Sequence, residues 1–509
     1  MIITLFPHID DDCIATILSL LDKPTLAILG RVSQAGAIYC RPWLVRDINL
    51  STSEHFASLD ICRFILRHDL GHHIIFLSIL PPSIPVWRRA GLFDVLDWST
   101  IGRSMMDPRL QCLFSHEPRL PRALKGMTHL QLFDLGNIGR TDIHWLSQHL
   151  FGGLRYLRLT LVNLATSEEL LSIILQNRRT LVELAITNSC KPIMRLTIRP
   201  EKKACPHVQK VAFFNIEVPV DDFARIFPNV QHVSARMETV PLLALTPQES
   251  PPHSGTQTHD IPQTGHFREV SSVDGPFLIT TLVPSSQLRR LSIIQPINSS
   301  GMLLGLLQVM KRAPLTSVSL CITARLYPDE TSPPFSNQWT ISLNSLFAML
   351  ASSIPHAQYL NLKLESDIRA DTSLGGHLTE LLLPTPCGFL AALKNLKFIS
   401  FLVTESQVNG AEVVDTKPKL PRVSNGLFRA LPSVQYVVLR TWGWYGLQPY
   451  NTAAYQRRRS STVPKLSSPG KGVHEGVDIS EEEARAARRR YEWEGTDISP
   501  WKIDAEQDL

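Results

Sequence analysis

The sequence predicts an α/β fold of the solenoid type, in which parallel strands line the concave face and helices lie outside. Two observations lead to this prediction. A short pattern with apolar residues at its first, fourth and sixth positions recurs eleven times along the 509 residues, and amphipathic stretches lie between many of the copies. One strand and one helix cannot bury their apolar faces alone, whereas stacked copies share one continuous core.

The clearest copy of this unit spans residues 153–186. Leu157 and Leu159 alternate as they would on one face of a short strand. Leu171 and Ile174 then have the spacing of the buried side of a helix, and the strand pattern begins again. We therefore interpret the repeated unit as a strand followed by a helix.

The copies recur at a nearly constant interval in the first half of the chain. Between residues 130 and 230 the gaps are 22 to 27 residues, which is the period of leucine-rich repeats. The chain resembles that family, although it lacks the regular asparagine after the third apolar position, which favours the looser strand-helix type. The first positions of the copies are Ile74, Leu130, Leu154, Leu181, Val208, Val230, Leu288, Leu315, Ala357, Leu396 and Val434.

The pattern divides the chain into four segments. Residues 1–50 predict a helical module, and residues 51–126 predict connecting helices and a first repeat-like strand. Residues 127–445 hold the repeats, and residues 446–509 predict a linker followed by a short charged helix.

Four insertions rich in Pro, Ser, Thr, Gly and Asp interrupt the repeats. Each follows a strand, so stacking predicts that all four project from the same edge of the solenoid. The composition of the first predicts disorder. The insertions lie at residues 237–286, 323–340, 365–388 and 404–425.

Three short helical elements are predicted for residues 9–50. The acidic run that begins at Asp10 can cap the first helix, and Pro24 opens the second. The order of Asp22-Lys23-Pro24-Thr25-Leu26, Arg31-Val32-Ser33 and Pro42-Trp43-Leu44 is similar to the F-box of fungal F-box proteins. The start differs, because Ile9-Asp10 occupies the place of the family's Leu-Pro.

The F-box resemblance implies a function. In that family the F-box docks on an adaptor subunit of a cullin-type (SCF) ubiquitin ligase, so here the repeats would bind a protein substrate. The matching positions, which would face the adaptor, are Ile9, Ile14, Ile17, Leu18, Leu21, Leu26, Leu29 and Val32. So small a module cannot enclose all of these side chains, which favours a partner.

A second interpretation of the same residues stays open. Apolar stripes on helices usually belong to a core, and the first repeat of a solenoid needs a cap. On this interpretation the chain is a repeat scaffold unrelated to ubiquitin, and residues 9–50 cap it.

Sequence motifs of catalysis are missing from the chain. We find no phosphate-binding glycine loop, no GxSxG and no HExxH, and the eight cysteines stand singly, so we expect no enzyme activity, cofactor or metal site. His68, His72 and His73 are badly spaced for shared metal binding.

Composition indicates where the protein acts. No apolar run reaches eighteen residues, and the first twenty residues lack the features of a secretory signal. A net charge of +5 is weak for this length, so nucleic-acid binding is not expected. The expected location is the cytoplasm, the nucleus or both, with no membrane partner.

The last predicted helix begins at Ser480, which forms a capping box with Glu483. Arginines follow at residues 488–490, where they complement the helix dipole. Because the helix has almost no apolar stripe, we expect it to be solvated.

Overall fold

A computed structural model gives the fold of the chain as mixed α/β, with mostly parallel strands. It divides into two compact units: unit 1 is Met1–Val230, Met237–Thr258 and Trp501–Leu509, and unit 2 is Gln231–Arg236 and His259–Pro500. The structure describes residues 9–51, 55–80, 113–150, 152–162, 167–188, 194–196, 204–236, 269–276, 280, 283, 285–327, 339–366, 388–405, 420–443, 451–457, 476–494 and 496.

Unit 1 begins with three helices packed on one another. They are α1 (Asp11–Ser19), α2 (Lys23–Val32) and α3 (Gln34–Val45). Ile14, Leu18, Leu26 and Cys40 form their shared core. The first two predicted helices are confirmed. The third, predicted to carry Trp43, Leu44, Ile48 and Leu50, is wrong in its second half, because the helix ends at Val45 and Asp47–Ser51 form a strand.

The sheet of unit 1 contains six parallel strands, each hydrogen-bonded to the next. They are β1 (Asp47–Ser51), β2 (Phe76–Leu80), β3 (Leu132–Ile138), β4 (Tyr156–Leu161), β5 (Glu183–Asn188) and β7 (Lys210–Phe214). Two short strands, β6 (Met194–Arg195) and β8 (Ile216–Glu217), pair separately.

Helices alternate with many of these strands along the chain, and the last of them follows β8. They are α4 (His55–His68), α5 (Leu113–His116), α6 (Leu120–Lys125), α7 (Arg140–His149), α8 (Ser167–Gln176) and α9 (Val220–Ile226), with a 3-10 turn at Gly71–His73. Leu170, Ile173 and Ile174 of α8 are fully buried, as the helical spacing predicts for an inward face. The strand-helix alternation predicted for residues 153–186 is thus confirmed.

Unit 2 continues the same alternation. Its parallel strands are β9 (His232–Arg236), β10 (Ser272–Gly275), β11 (Arg290–Ile297), β12 (Ser317–Thr323), β15 (Tyr359–Ser366), β16 (Phe398–Glu405) and β17 (Tyr436–Gly443). A small pair, β13 (Arg325–Tyr327) and β14 (Thr340–Ser342), stands apart from them. Two antiparallel strands complete the sheet: β18 (Asn451–Arg457) and β19 (Gly476–Asp478).

The described helices of unit 2 are α10 (Ser300–Arg312), α11 (Leu343–Ser353), α12 (Leu420–Ala430) and α13 (Glu481–Trp493), with a 3-10 turn at Gly388–Ala392. Helix α11 packs on one face of the sheet, where the rings of Phe347 and Phe401 lie 6.1 Å apart. Helix α13 packs against Phe398. Because residues three apart on a strand point to opposite faces, α11 and α13 cover opposite sides of β16.

The apolar pattern locates the strands accurately. All eleven of its first positions are buried, and a strand begins two residues after each of them. The same offset holds for Val45 before β1, where the pattern is complete, and for Val270 before β10, where Gly275 replaces the third apolar residue. The first position of the pattern therefore lies two residues before the point where the chain enters the sheet.

Two predictions about the inserted and terminal segments are wrong. The expectation of disorder for 237–286 fails at residues 269–276, because β10 pairs there with β9 and β11. The predicted linker after the repeats contains β18, which pairs with β17. The remaining parts of the insertions lie mostly outside the described residues. The prediction that all four insertions project from one edge therefore also falls outside them.

Helix α13 is also not the solvated helix that its composition indicates. Ala484, Ala487 and Tyr491 are buried against Tyr359 and other side chains of the sheet. Its capping box is as predicted: Ser480 Oγ accepts a hydrogen bond from Glu483 N at 3.2 Å, and the Glu483 carboxylate accepts one from Ser480 N at 2.9 Å. None of the described helices has the length and apolar character needed to span a lipid bilayer.

Candidate functional site

The three N-terminal helices form the first candidate site, and side-chain caps fix their ends. Asp22 Oδ1 accepts a hydrogen bond from Thr25 N at 2.9 Å. Hydrogen bonding from the Thr25 side chain, and then from its backbone, lowers the pKa of the Asp22 carboxyl. Ser33 Oγ accepts one from Gly36 N at 2.9 Å. The caps start α2 and α3 at defined residues. At the first helix, Asp10 occupies the N-cap position but its side chain makes no capping hydrogen bond.

Helices α2 and α3 approach each other closely at Gly36. A Cβ added there would lie 2.6 Å from the carbonyl oxygen of Leu29, closer than a side chain tolerates. The absent side chain allows α3 to pack on α2, and Leu26 and Cys40 are buried between them.

The eight residues predicted to face an adaptor fall into three groups. Ile14, Leu18 and Leu26 are buried in the core of the module. Leu21 and Leu29 are partly buried and pack against that core. Exposed side chains make up the third group, which consists of Ile9, Ile17 and Val32.

Several large apolar side chains of the module are exposed to solvent. Five of them are 49–81% exposed, and we call these the exposed apolar set: Ile17, Leu20, Ile28, Val32 and Ile38. Ile28 and Val32 lie one turn apart on the same side of α2. The sequence analysis missed Leu20, Ile28 and Ile38, because they lie off the stripes used to predict each helix.

The module is joined to the edge of the unit 1 sheet. Strand β1 follows α3 and pairs with β2, and the amides of Ile75 and Phe76 both donate to the carbonyl oxygen of Arg46, at 2.9 and 3.1 Å. Lys23 Nζ donates a hydrogen bond to the carbonyl oxygen of Asp47. These bonds fix α2 and α3 relative to the first strands of the sheet.

Beneath α13, the unit 2 sheet carries a second candidate site. Tyr359, Phe398 and Tyr436 are register partners on adjacent strands, and their rings stack at 5.1 and 6.4 Å. Tyr491 of α13 lies 5.9 Å from the Tyr436 ring, and its hydroxyl donates to Gln435 Oε1 at 2.9 Å. The aromatic row thus forms the platform on which α13 rests.

A buried group of charged side chains continues this row. The Arg290 guanidinium donates to Asp274 Oδ1 and to Glu492 Oε1, each at 2.6 Å, and lies 4.4 Å from the ring centroid of Trp493. Arg488 Nε donates to the second Glu492 oxygen at 3.2 Å. Each carboxylate is matched by a guanidinium, as buried charges require.

Ser272, His232 and Asp274 bring a hydroxyl, an imidazole and a carboxylate together. The distance from His232 Nδ1 to Ser272 Oγ is 2.8 Å, and that from Nε2 to Asp274 Oδ2 is 3.5 Å. Hydrolases use this combination of groups to activate a nucleophile. Here Ser272 is 0% exposed and its Oγ also accepts from Arg290, so no substrate can reach the oxygen. The arrangement serves packing in this conformation.

Metal-ligating residues do not converge in the described part of the chain, which holds no group of three His, Cys, Asp or Glu arranged around an ion. The rings of His72 and His73 lie 3.9 Å apart, while His129 Nδ1 contacts the carbonyl oxygen of His72. The described cysteines are free thiols: Cys13, Cys40, Cys62, Cys205 and Cys321.

No protein-family model matches the chain, and no curated protein matches its sequence.

Proposed function

We propose that this chain is a non-catalytic substrate-recognition subunit of a cullin-type (SCF) ubiquitin ligase. The exposed apolar set carries the proposal. Ile17, Leu20, Ile28, Val32 and Ile38 remain in solvent although Ile14, Leu18 and Leu26 already fill the core. So many large aliphatic side chains on a small module are typical of a surface that another protein covers.

The proposal revises which residues contact the adaptor. The buried members of the predicted set would support the module, and the exposed ones would provide the contacts. Ile28 and Val32 are the best candidates for anchors, because they are on one side of α2 and largely exposed.

The rest of the chain would bind the substrate. Stacked strand-helix units of a leucine-rich-repeat solenoid give a rigid platform, and binding there would hold a substrate lysine near the ubiquitin-charged enzyme. Proximity alone raises the effective concentration, so no reactive residue is required of this chain. On the part of the sheet that α13 covers, a substrate would meet the helix rather than the strands.

Copurification with the adaptor tests the proposal. The full chain with Ile28→Asp and Val32→Asp should lose adaptor binding by about a thousandfold, since two anchors contribute about 2 kcal/mol each. Leu304→Asp, on α10, is the matched control because Leu304 is also large, apolar and exposed. Equal adaptor recovery from the double variant and the control would argue against the assignment.

A second candidate function is a repeat scaffold unrelated to ubiquitin, with residues 9–50 as its cap. The observation that favours it is the pairing of β1 with β2, which makes the module continuous with the sheet edge. A wild-type chain that folds and stays monomeric but never recovers the adaptor would support the scaffold and count against a ligase subunit.

A further inference from the structure

Arg440 lies on the face of the unit 2 sheet that α13 covers. It follows Tyr436 and Val438 on β17 at every second residue, so all three point to the same side. Val438 packs against Ala484 and Ala487 of α13. As a whole residue, Arg440 is half-buried, so part of it remains in contact with solvent.

Charges of both signs act on this guanidinium: two arginines of α13 repel it, and Glu481 of the same helix attracts it. Arg485 and Arg488 stand three residues apart on α13, and both repel the charge of Arg440. Burial and then this repulsion lower the pKa of Arg440 to about 10. That value is still well above neutral pH, so Arg440 keeps its charge in the cell.

Two described carboxylates of α13, those of Glu481 and Glu492, are engaged by other groups. Glu481 Oε1 accepts from Arg485 at 3.2 Å, and Glu492 accepts from both Arg488 and Arg290. Within the described part of the chain, no hydrogen bond or ion pair reaches the Arg440 guanidinium. In the same part, the buried Nε of Arg485 has no acceptor. Among the residues that the structure describes, donors therefore exceed acceptors on this side of α13.

We propose that Arg440, Arg485 and Arg488 form a binding site for a phosphate-type oxyanion, either the free ion or a phosphoryl group. Arginine presents planar pairs of N–H donors that match the oxygens of phosphate. An oxyanion here would supply the acceptors that Arg440 and Arg485 lack and would cancel the mutual repulsion. The inference does not depend on the proposed function, since it uses only the charges and contacts of unit 2.

Calorimetric titration of the full chain with inorganic phosphate tests the site. Sodium chloride of equal ionic strength in the cell and syringe removes the general effect of salt. The wild type should bind phosphate at one site, and Arg440→Met should weaken binding by at least about tenfold, the loss of one charge-assisted contact. Arg429→Met is the matched control, because Arg429 is exposed on α12, and it should bind as the wild type does.

The stability of the unliganded protein gives a second readout. If Arg440 binds a ligand, the Arg440→Met variant should have a melting temperature in chloride no lower than that of the wild type, because the substitution removes repulsion. Phosphate should raise the melting temperature of the wild type but not that of the variant. Should Arg440→Met fail to fold, Arg440→Lys and Arg485→Met replace it, each with weaker phosphate binding expected. Absence of phosphate binding by the wild type, or undiminished binding by all three variants, would overturn the proposal.

Free phosphoserine distinguishes the two sources of the oxyanion. Competition between phosphoserine and phosphate for the site would support a phosphoryl group carried by a partner. Binding of phosphate alone would support a site for the free ion.

Discussion

Arg290 on β11 and Glu492 on α13 are 202 residues apart in the sequence and form a buried ion pair of 2.6 Å. Glu492 also accepts from Arg488, and Arg290 also donates to Asp274. The C-terminal helix is therefore attached to the sheet through charges as well as through its apolar side chains.

Glu492→Gln should release α13 from the sheet. The substitution keeps the side-chain shape but leaves the Arg290 and Arg488 guanidinium groups without their shared counter-charge. Removing one partner of a buried pair destabilises by about 3 kcal/mol. Hydrogen exchange of the α13 amides measures the effect. The control is Glu482→Gln, since Glu482 is exposed on the same helix, and equal protection in the two variants would contradict this role.

Tyr491 should stabilise the packing of α13 on the sheet mainly through its aromatic ring. Tyr491→Phe removes only the hydroxyl that donates to Gln435, which is expected to cost about 1 kcal/mol. Tyr491→Ala also removes the ring beside Tyr436, for a loss of about 3 kcal/mol. Urea unfolding of both variants measures the difference. If Phe and Ala were equally destabilising, the hydroxyl and not the ring would be the main contact.

Local periodicity predicts the strands of this protein well. In each copy of the pattern, the three apolar side chains lie at its first, fourth and sixth positions. The residues that define a strand are therefore close together in the sequence. Strand β10 was missed because Gly275 stands at its sixth position, where the pattern requires an apolar residue. The pattern is also present at β1, where Val45 precedes the strand and Ile48 lies within it. Strand β1 was not predicted because these residues belong to the segment interpreted as helical.

The position of α13 could not be predicted in this way. The apolar part of its buried face consists of two alanines and one tyrosine, which give almost no apolar signal. The partners of Glu492 and Trp493 lie in distant strands, so no local spacing connects them. In the N-terminal module, Ile14 and Ile17 are both apolar residues of α1, and only packing determines that the first is buried and the second exposed.

The capping box of α13 should make unit 2 sensitive to acid. Hydrogen bonds from the Ser480 backbone and side chain lower the pKa of Glu483 from 4.5. A carboxyl with a lowered pKa contributes stability above its unfolded value, and this contribution is lost as the pH falls through the folded value. Melting temperatures of wild type and Glu483→Gln should therefore differ at neutral pH and converge below pH 4.5. A difference that does not change with pH would exclude the carboxylate as its origin.

Two helix glycines of the N-terminal module should respond in opposite ways to alanine. At Gly36 the new Cβ would lie 2.6 Å from the Leu29 carbonyl oxygen, so α2 and α3 must separate, at a cost of about 1 to 3 kcal/mol. At Gly30 the nearest atom, Cys40 Cβ, would lie 3.6 Å away in ordinary contact. Gly30→Ala should therefore stabilise the helix by about 0.5 to 1 kcal/mol.

Limited proteolysis within residues 9–51 measures both variants on the full chain. Faster cleavage is expected for Gly36→Ala and slower cleavage for Gly30→Ala, because opening of the module exposes the α2 and α3 backbone to the protease. If adaptor binding depends on the folded module, Gly36→Ala should lose the adaptor together with its protease resistance. Retention of the adaptor by a Gly36→Ala chain that is cleaved rapidly would mean that the helices need not pack as they do here to present Ile28 and Val32.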